Sequence, residues 1–166
     1  MQNVEPMTLF GYEKLQAEVK NLKEVQRPQC VRDIEDALEH GDLKENAEYH
    51  AAKEMQKNID NRLGDLQEIL GKAQIVNPKE LEHAKISFGS TVVMTDMNTE
   101  EEVTYTLVGG CESNPDMGLI SFNSPLAKQL LGKEEGDEVK VRLPGGEKEF
   151  EIDEVKYEET VFECMI

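Results

Sequence analysis

The chain has 166 residues, 38% of them hydrophobic and 32% charged, with no tryptophan; that suits one or two domains with partly elongated elements rather than one large globule. Its formal net charge is −17, and so acidic a chain cannot neutralise phosphates over a broad surface, which argues against autonomous duplex DNA binding. No apolar run approaches the roughly 18 residues of a membrane span, and no basic N-terminal region precedes an apolar one, so the expected location is the cytoplasm, off the membrane.

In chain order, Met1 to Pro6 reads as a short extension and Thr8 as the cap of a first helix. Tyr12, Leu15, Val19 and Leu22 recur at steps of 3, 4 and 3, the narrow stripe of one helix packed along another. Pro28 removes an amide donor and predicts a local bend or break, after which Val31, Ile34 and Leu38 resume the stripe. Gly41 punctuates the end of this arm, which would extend roughly 50 Å if helical throughout. A second arm follows, with Ala47 and Ala51 near its start and Ile59, Leu63, Leu66, Leu70 and Ala73 towards its base. The short connection predicts an antiparallel coiled-coil hairpin over residues 1–77, with an acidic tip near 41–45.

Asn77-Pro78 ends the helical region and opens a linker over 78–84. The period then becomes strand-like in Lys85–Thr95, Glu102–Val108, Leu119–Phe122, Glu138–Leu143 and Lys148–Lys156. Ser124-Pro125 caps a short helix through Leu131, with proline where its missing amide does no harm. Pro144-Gly145-Gly146 marks a tight turn. The expected class is α+β: the hairpin, then a small β-sheet domain with a short helix over 85–157, then an acidic tail over 158–166. Residues 1–77 carry a net −5 and residues 78–166 a net −12, which is compatible with solubility and with docking on a basic partner.

Two features carry candidate chemistry. Asp42 and Glu45 lie three residues apart just after Gly41. As a capping box, Asp42 accepts a hydrogen bond from a free amide of the second arm while Glu45 reaches back, stabilising the helix start by about 1 kcal/mol. The same offset also places both carboxylates on one face, where they could share a hard divalent cation, but two oxygen donors make only half a magnesium site. Cys30, Cys111 and Cys164 are far apart and lack the spacing of a zinc or redox pair, so they read as reduced and structural.

The stretch His40-Gly41-Asp42-Leu43-Lys44-Glu45-Asn46-Ala47-Glu48-Tyr49-His50-Ala51-Ala52-Lys53-Glu54 resembles the tip signature of the bacterial Gre transcript cleavage factors, the GreA type above all. The likeness continues in Met7-Thr8, Gly11, Arg27-Pro28, Phe88-Gly89, Asn123-Ser124-Pro125, Gly132-Lys133-Glu134-Glu135-Gly136-Asp137 and Pro144-Gly145-Gly146. The resemblance implies an FK506-binding-protein-like C-terminal domain that docks on bacterial RNA polymerase, with Ser124 and Pro125 in the docking region. It implies a hairpin that enters the polymerase's secondary channel, where Asp42 and Glu45 help hold a Mg2+ ion shared with the polymerase. Cleavage of the backtracked nascent RNA 3′ end is then the polymerase's own activity, which this chain stimulates without being an enzyme or binding the ion alone. Asn46 and Tyr49 would position water or a base, or else pack between the arms. Lys53, and less so Lys57, would meet RNA phosphates. Leu38 and Glu39 stand where some relatives extend a basic patch, which fits short RNA products. A channel-binding inhibitor, a prolyl isomerase and a chaperone-like coiled coil are the competing functions.

Overall fold

The structure, a computed structural model, describes residues 4–41 and 46–159. These fall into two compact units, one formed by Tyr12–Ala73 and the other by Val4–Gly11 together with the chain from Gln74 onward.

The hairpin unit follows from its helical periodicity. Helix α1 (Leu9–Asn21) passes through a π-helical turn (Leu22–Gln26) into α2 (Arg27–Glu39), and α3 (Ala47–Lys72) forms the other arm. Cross-arm contacts show the arms to be antiparallel: Asn46 meets Ala37, Cys30 meets Ala52 and Arg62 pairs with Glu18. As numbers fall on one arm they rise on the other.

The chain stays helical through Pro28, where the sequence predicts a bend or break. In the π turn Arg27 N–H donates to Leu22 O, five residues back. That wider turn makes room beside the carbonyls that the Pro28 ring would otherwise crowd, and proline's missing donor costs least in the first turn of α2. The extra residue also shifts the buried stripe. Leu15, Leu22, Cys30 and Ala37 are buried, so a seven-residue repeat survives with one residue inserted at the π turn. Val31 and Leu38, expected inside, are exposed, and Ile34 is half-buried. On α3 the buried positions are Ala52, Ile59, Leu63 and Leu66. Ala47 and Ala51 are exposed, so the small residue packed near the tip is Ala52.

The sheet unit begins with β1 (Glu5–Met7), which starts inside the Met1–Pro6 stretch read as an extension and ends one residue beyond it, and which pairs with β2 (Ala73–Ile75) at the end of the second arm. Val76 N–H donates to Met7 O at 2.8 Å. The main sheet has five strands, β3 (Thr91–Asp96), β4 (Glu102–Val108), β5 (Leu119–Ser121), β6 (Glu138–Leu143) and β7 (Gly146–Lys156), in the order β5-β4-β3-β7-β6. Only β4 and β5 run parallel; the other neighbours are antiparallel. Alternation sets the faces: Val139 and Val141 of β6 point inward between charged neighbours.

Helix α4 (Pro125–Leu130) contributes Leu126, Ala127 and Leu130 to one core with Val92, Met94, Leu107, Phe150 and Ile152. The unit is therefore mixed α+β, with a curled sheet covered by a helix. The strand expected from Lys85 starts only at Thr91. Gly89 at φ +82° and the bond from Ser90 N–H to Ser87 O make a tight turn over 87–90 that cannot extend the ladder. Before that turn, the His83 ring lies between Pro78 O and Ser90 Oγ, each at 2.6 Å, and stacks on Tyr157. The linker is thereby fastened to the turn before β3 and to the residue that follows β7.

Candidate functional site

The site begins where α2 stops. His40 N–H donates to Ala37 O at 3.2 Å, and Gly41 follows at φ +116°, a conformation only glycine adopts without strain. Asp42, Leu43, Lys44 and Glu45, and with them the two carboxylates singled out by spacing, lie outside the described residues.

Asn46 opens α3. Its Oδ1 accepts from Tyr49 N–H at 3.1 Å, which makes it the N-cap, and its Nδ2 donates to Ala37 O at 2.6 Å. One side chain thus satisfies an orphan amide of one arm and a terminal carbonyl of the other. Sequence spacing predicts that Asp42 and Glu45 cap the second arm, but the described helix takes its cap from Asn46. An asparagine directly before the first helical residue is the signal that locates this cap.

Tyr49 is half-buried, its ring meeting His50 edge-on with centroids 5.6 Å apart. Lys53 is exposed one turn farther along, its Nζ donating to Gln56 Oε1 at 3.3 Å, and Lys57 is exposed as well. Asn46, Tyr49 and Lys53 therefore share the tip-proximal end of α3. Leu38 and Glu39, on α2, are both exposed and add no positive charge there.

Behind the tip, Cys30 Sγ donates to Ala52 O at 3.1 Å. Burial pushes the Cys30 thiol up from its ordinary range, the carboxylates of Asp33 and Asp60 push the same way, and Lys53 opposes them. It is a packed, weakly reactive thiol. Among the described residues, no group of three or more His, Cys, Asp or Glu is arranged to hold a metal ion, and no helix is long and apolar enough to cross a membrane.

Ser124 and Pro125 sit apart from these residues, in the sheet unit. Ser124 Oγ accepts from Ala127 N–H at 3.2 Å, while Pro125 is exposed in the first turn of α4. Both start the helix as their sequence predicts.

One buried acid escapes sequence reasoning. Glu112, in the loop after β4, accepts from Thr8 N–H at 3.1 Å, from the Thr8 hydroxyl and from Gly109 N–H at 3.0 Å. Its principal partner is 104 residues away, and no local pattern marks such a pairing.

Comparison with known proteins gives consistent matches. Residues 5–75 match the family described as "Transcription elongation factor, N-terminal", and residues 81–157 match "Transcription elongation factor, GreA/GreB, C-term". The chain is 57% identical to a Transcription elongation factor GreA of a Nitratiruptor species, over 98% of this chain and 99% of the relative. It is 58% identical to that of Wolinella succinogenes, over 96% and 98%. A solved structure, "GreA factor homolog 1 (Gfh1) protein of Thermus thermophilus", shares 27% identity over 93% of this chain and 99% of that one, at a TM-score of 0.44 that is too low to carry an argument. On the two family matches and these identities, the chain belongs to the GreA/GreB family of transcription elongation factors.

Proposed function

We propose that this chain is a cytoplasmic elongation factor that docks on bacterial RNA polymerase, inserts its hairpin tip into the secondary channel and stimulates cleavage of backtracked nascent RNA. The observation that carries the reading is the position of the Asp42–Glu45 segment, between Gly41 at the end of one arm and the Asn46 cap of the other. Because Asn46 already caps α3, that helix has no need of the two acids at its N-cap.

In this reading the sheet unit, with α4 laid on one face, is the FK506-binding-protein-like docking domain, and the exposed start of α4 at Ser124-Pro125 lies at the contact. DNA is met only through the polymerase. Asp42 and Glu45 fit a Mg2+ ion by donor chemistry, since hard carboxylate oxygens suit a hard cation, and two of them leave room for ligands from a partner. When bound jointly, the ion supplies charge neutralisation and an acidified water for phosphodiester hydrolysis. The chain's own contribution is to bring two carboxylates to the extruded RNA end and hold them there. Asn46 ties the start of α3 to Ala37 of the other arm, Tyr49 offers a half-buried ring with a polar edge on the first turn of α3, and Lys53 offers a cation to RNA phosphate.

The test is release of 3′ RNA fragments from a stalled, backtracked polymerase complex with and without the intact chain. Magnesium-dependent acceleration supports the proposal. Binding that slows elongation without releasing fragments favours an inhibitor, and failure to bind polymerase overturns the reading altogether.

A further inference from the structure

A buried carboxyl group is costly unless hydrogen bonds replace its lost hydration, and a natural core keeps one only where those bonds hold something in place. Glu112 is 9% exposed. One oxygen accepts from the Thr8 backbone amide and from the Thr8 hydroxyl, and the other accepts from Gly109 N–H. The Thr8 hydroxyl in turn accepts from Gly11 N–H at 3.1 Å. Gly11 N–H, Thr8 Oγ and Glu112 therefore form a relay in which each bond polarises the next, at the positive end of α1 where an acid is favoured.

The relay occupies a crowded place. A Cβ on Gly109 would stand 2.7 Å from Pro6 O, and one on Gly11 would collide with the Glu112 carboxyl. Thr8 is followed at once by α1, which runs into the hairpin unit, and Met7 O accepts from Val76 N–H just beyond the end of the second arm. Glu112 is thus the side chain by which the loop after β4 holds the start of α1.

We infer that Glu112 is a positioning residue for transcript cleavage: by holding Thr8, Gly11 and Gly109 together, it fixes the start of α1, the helix that continues into the first arm. The inference rests on the proposed function. Its mark is a loss in what the bound factor does, with no loss in how well it binds.

The test uses the full chain with Glu112→Gln, which keeps the volume, Thr8→Ala, which removes the hydroxyl, and Thr8→Ser, which keeps it. In the free protein, Glu112→Gln should speed hydrogen exchange of the Thr8, Gly11 and Gly109 amides by about tenfold or more. In the cleavage assay, Glu112→Gln and Thr8→Ala should lower the rate at saturating factor by about tenfold while the half-saturating concentration stays within about twofold, and Thr8→Ser should retain the parental rate. A parental rate at saturation in Glu112→Gln overturns the inference. So does a rise in half-saturating concentration with an unchanged saturating rate, which marks a merely structural residue. If the unaltered chain binds polymerase and stimulates nothing, the proposed function falls and this inference with it; if it stimulates and Glu112→Gln matches it, only the inference falls.

Discussion

The hairpin and the sheet unit bury their side chains in different ways. The hairpin has a single file of buried residues, Leu15, Leu22, Cys30 and Ala37 against Ala52, Ile59, Leu63 and Leu66, with most of its surface in water. The sheet unit has a contiguous cluster in which Val92, Met94, Leu107, Leu130 and Ile152 touch a shared interior. A file stabilises little per residue but extends far, whereas a cluster stabilises strongly and stays compact. The hairpin is therefore the unit that depends on interlocks such as Asn46, whereas the sheet unit encloses acids such as Asp96 and Glu112.

The largest effect expected from this contrast is on the cluster. Leu107→Ala should cost the sheet unit about 4 kcal/mol, because a fully enclosed site cannot collapse around the void. Leu66→Ala, equally buried, should cost about 2 kcal/mol, since a slender coil can close over the gap. Urea unfolding followed by helical and by tyrosine signals checks the ranking, and equal losses would break the comparison.

The π turn gives a sharper test within the file. Deleting exposed Val25 removes the inserted residue and forces Pro28 into a regular helix, at a cost of about 3 kcal/mol. Adding Pro28→Ala to the deletion should recover most of that loss, because the buried stripe then keeps an uninterrupted seven-residue repeat. Asn46→Ala should cost less, about 1 kcal/mol in the hairpin's unfolding free energy, for loss of the α3 cap and of the bond to Ala37.

The smallest effect is a pH dependence confined to the sheet. Asn98 N–H, then Thr99 N–H and Lys148, hold the Asp96 carboxyl below the usual carboxylate range, against the opposing effect of burial. A depressed pKa contributes stability that is complete above the unfolded value and is lost as pH falls through the folded one. Between neutral pH and about pH 3 the sheet unit of Asp96→Asn should therefore lose less stability than the parent's, as read by urea midpoints.

Much of this architecture was legible wherever the deciding interactions are local. Alternation located β4 and β6, and Ser124-Pro125 located the start of α4. Periodicity placed both arms, but it could not place the π turn, because the inserted residue appears only as a lapse in the stripe. Expecting Val31 and Leu38 inside was the consequence. Strands β1 and β2 are not legible, because three residues each carry no readable alternation. At the site, the tip motif can be read from neighbouring residues, but spacing puts the helix cap at Asp42 where the fold uses Asn46, and Glu112 meets Thr8 only after the chain has folded.

The measurement closest to the central claim compares the intact chain with Asp42→Asn and Glu45→Gln in fragment release from a backtracked polymerase, with binding followed separately. If the tip acids act in cleavage, both variants bind like the parent and stimulate release at least about a hundredfold less. Variants that bind and cleave like the parent would contradict the account and leave the acids no part in the reaction.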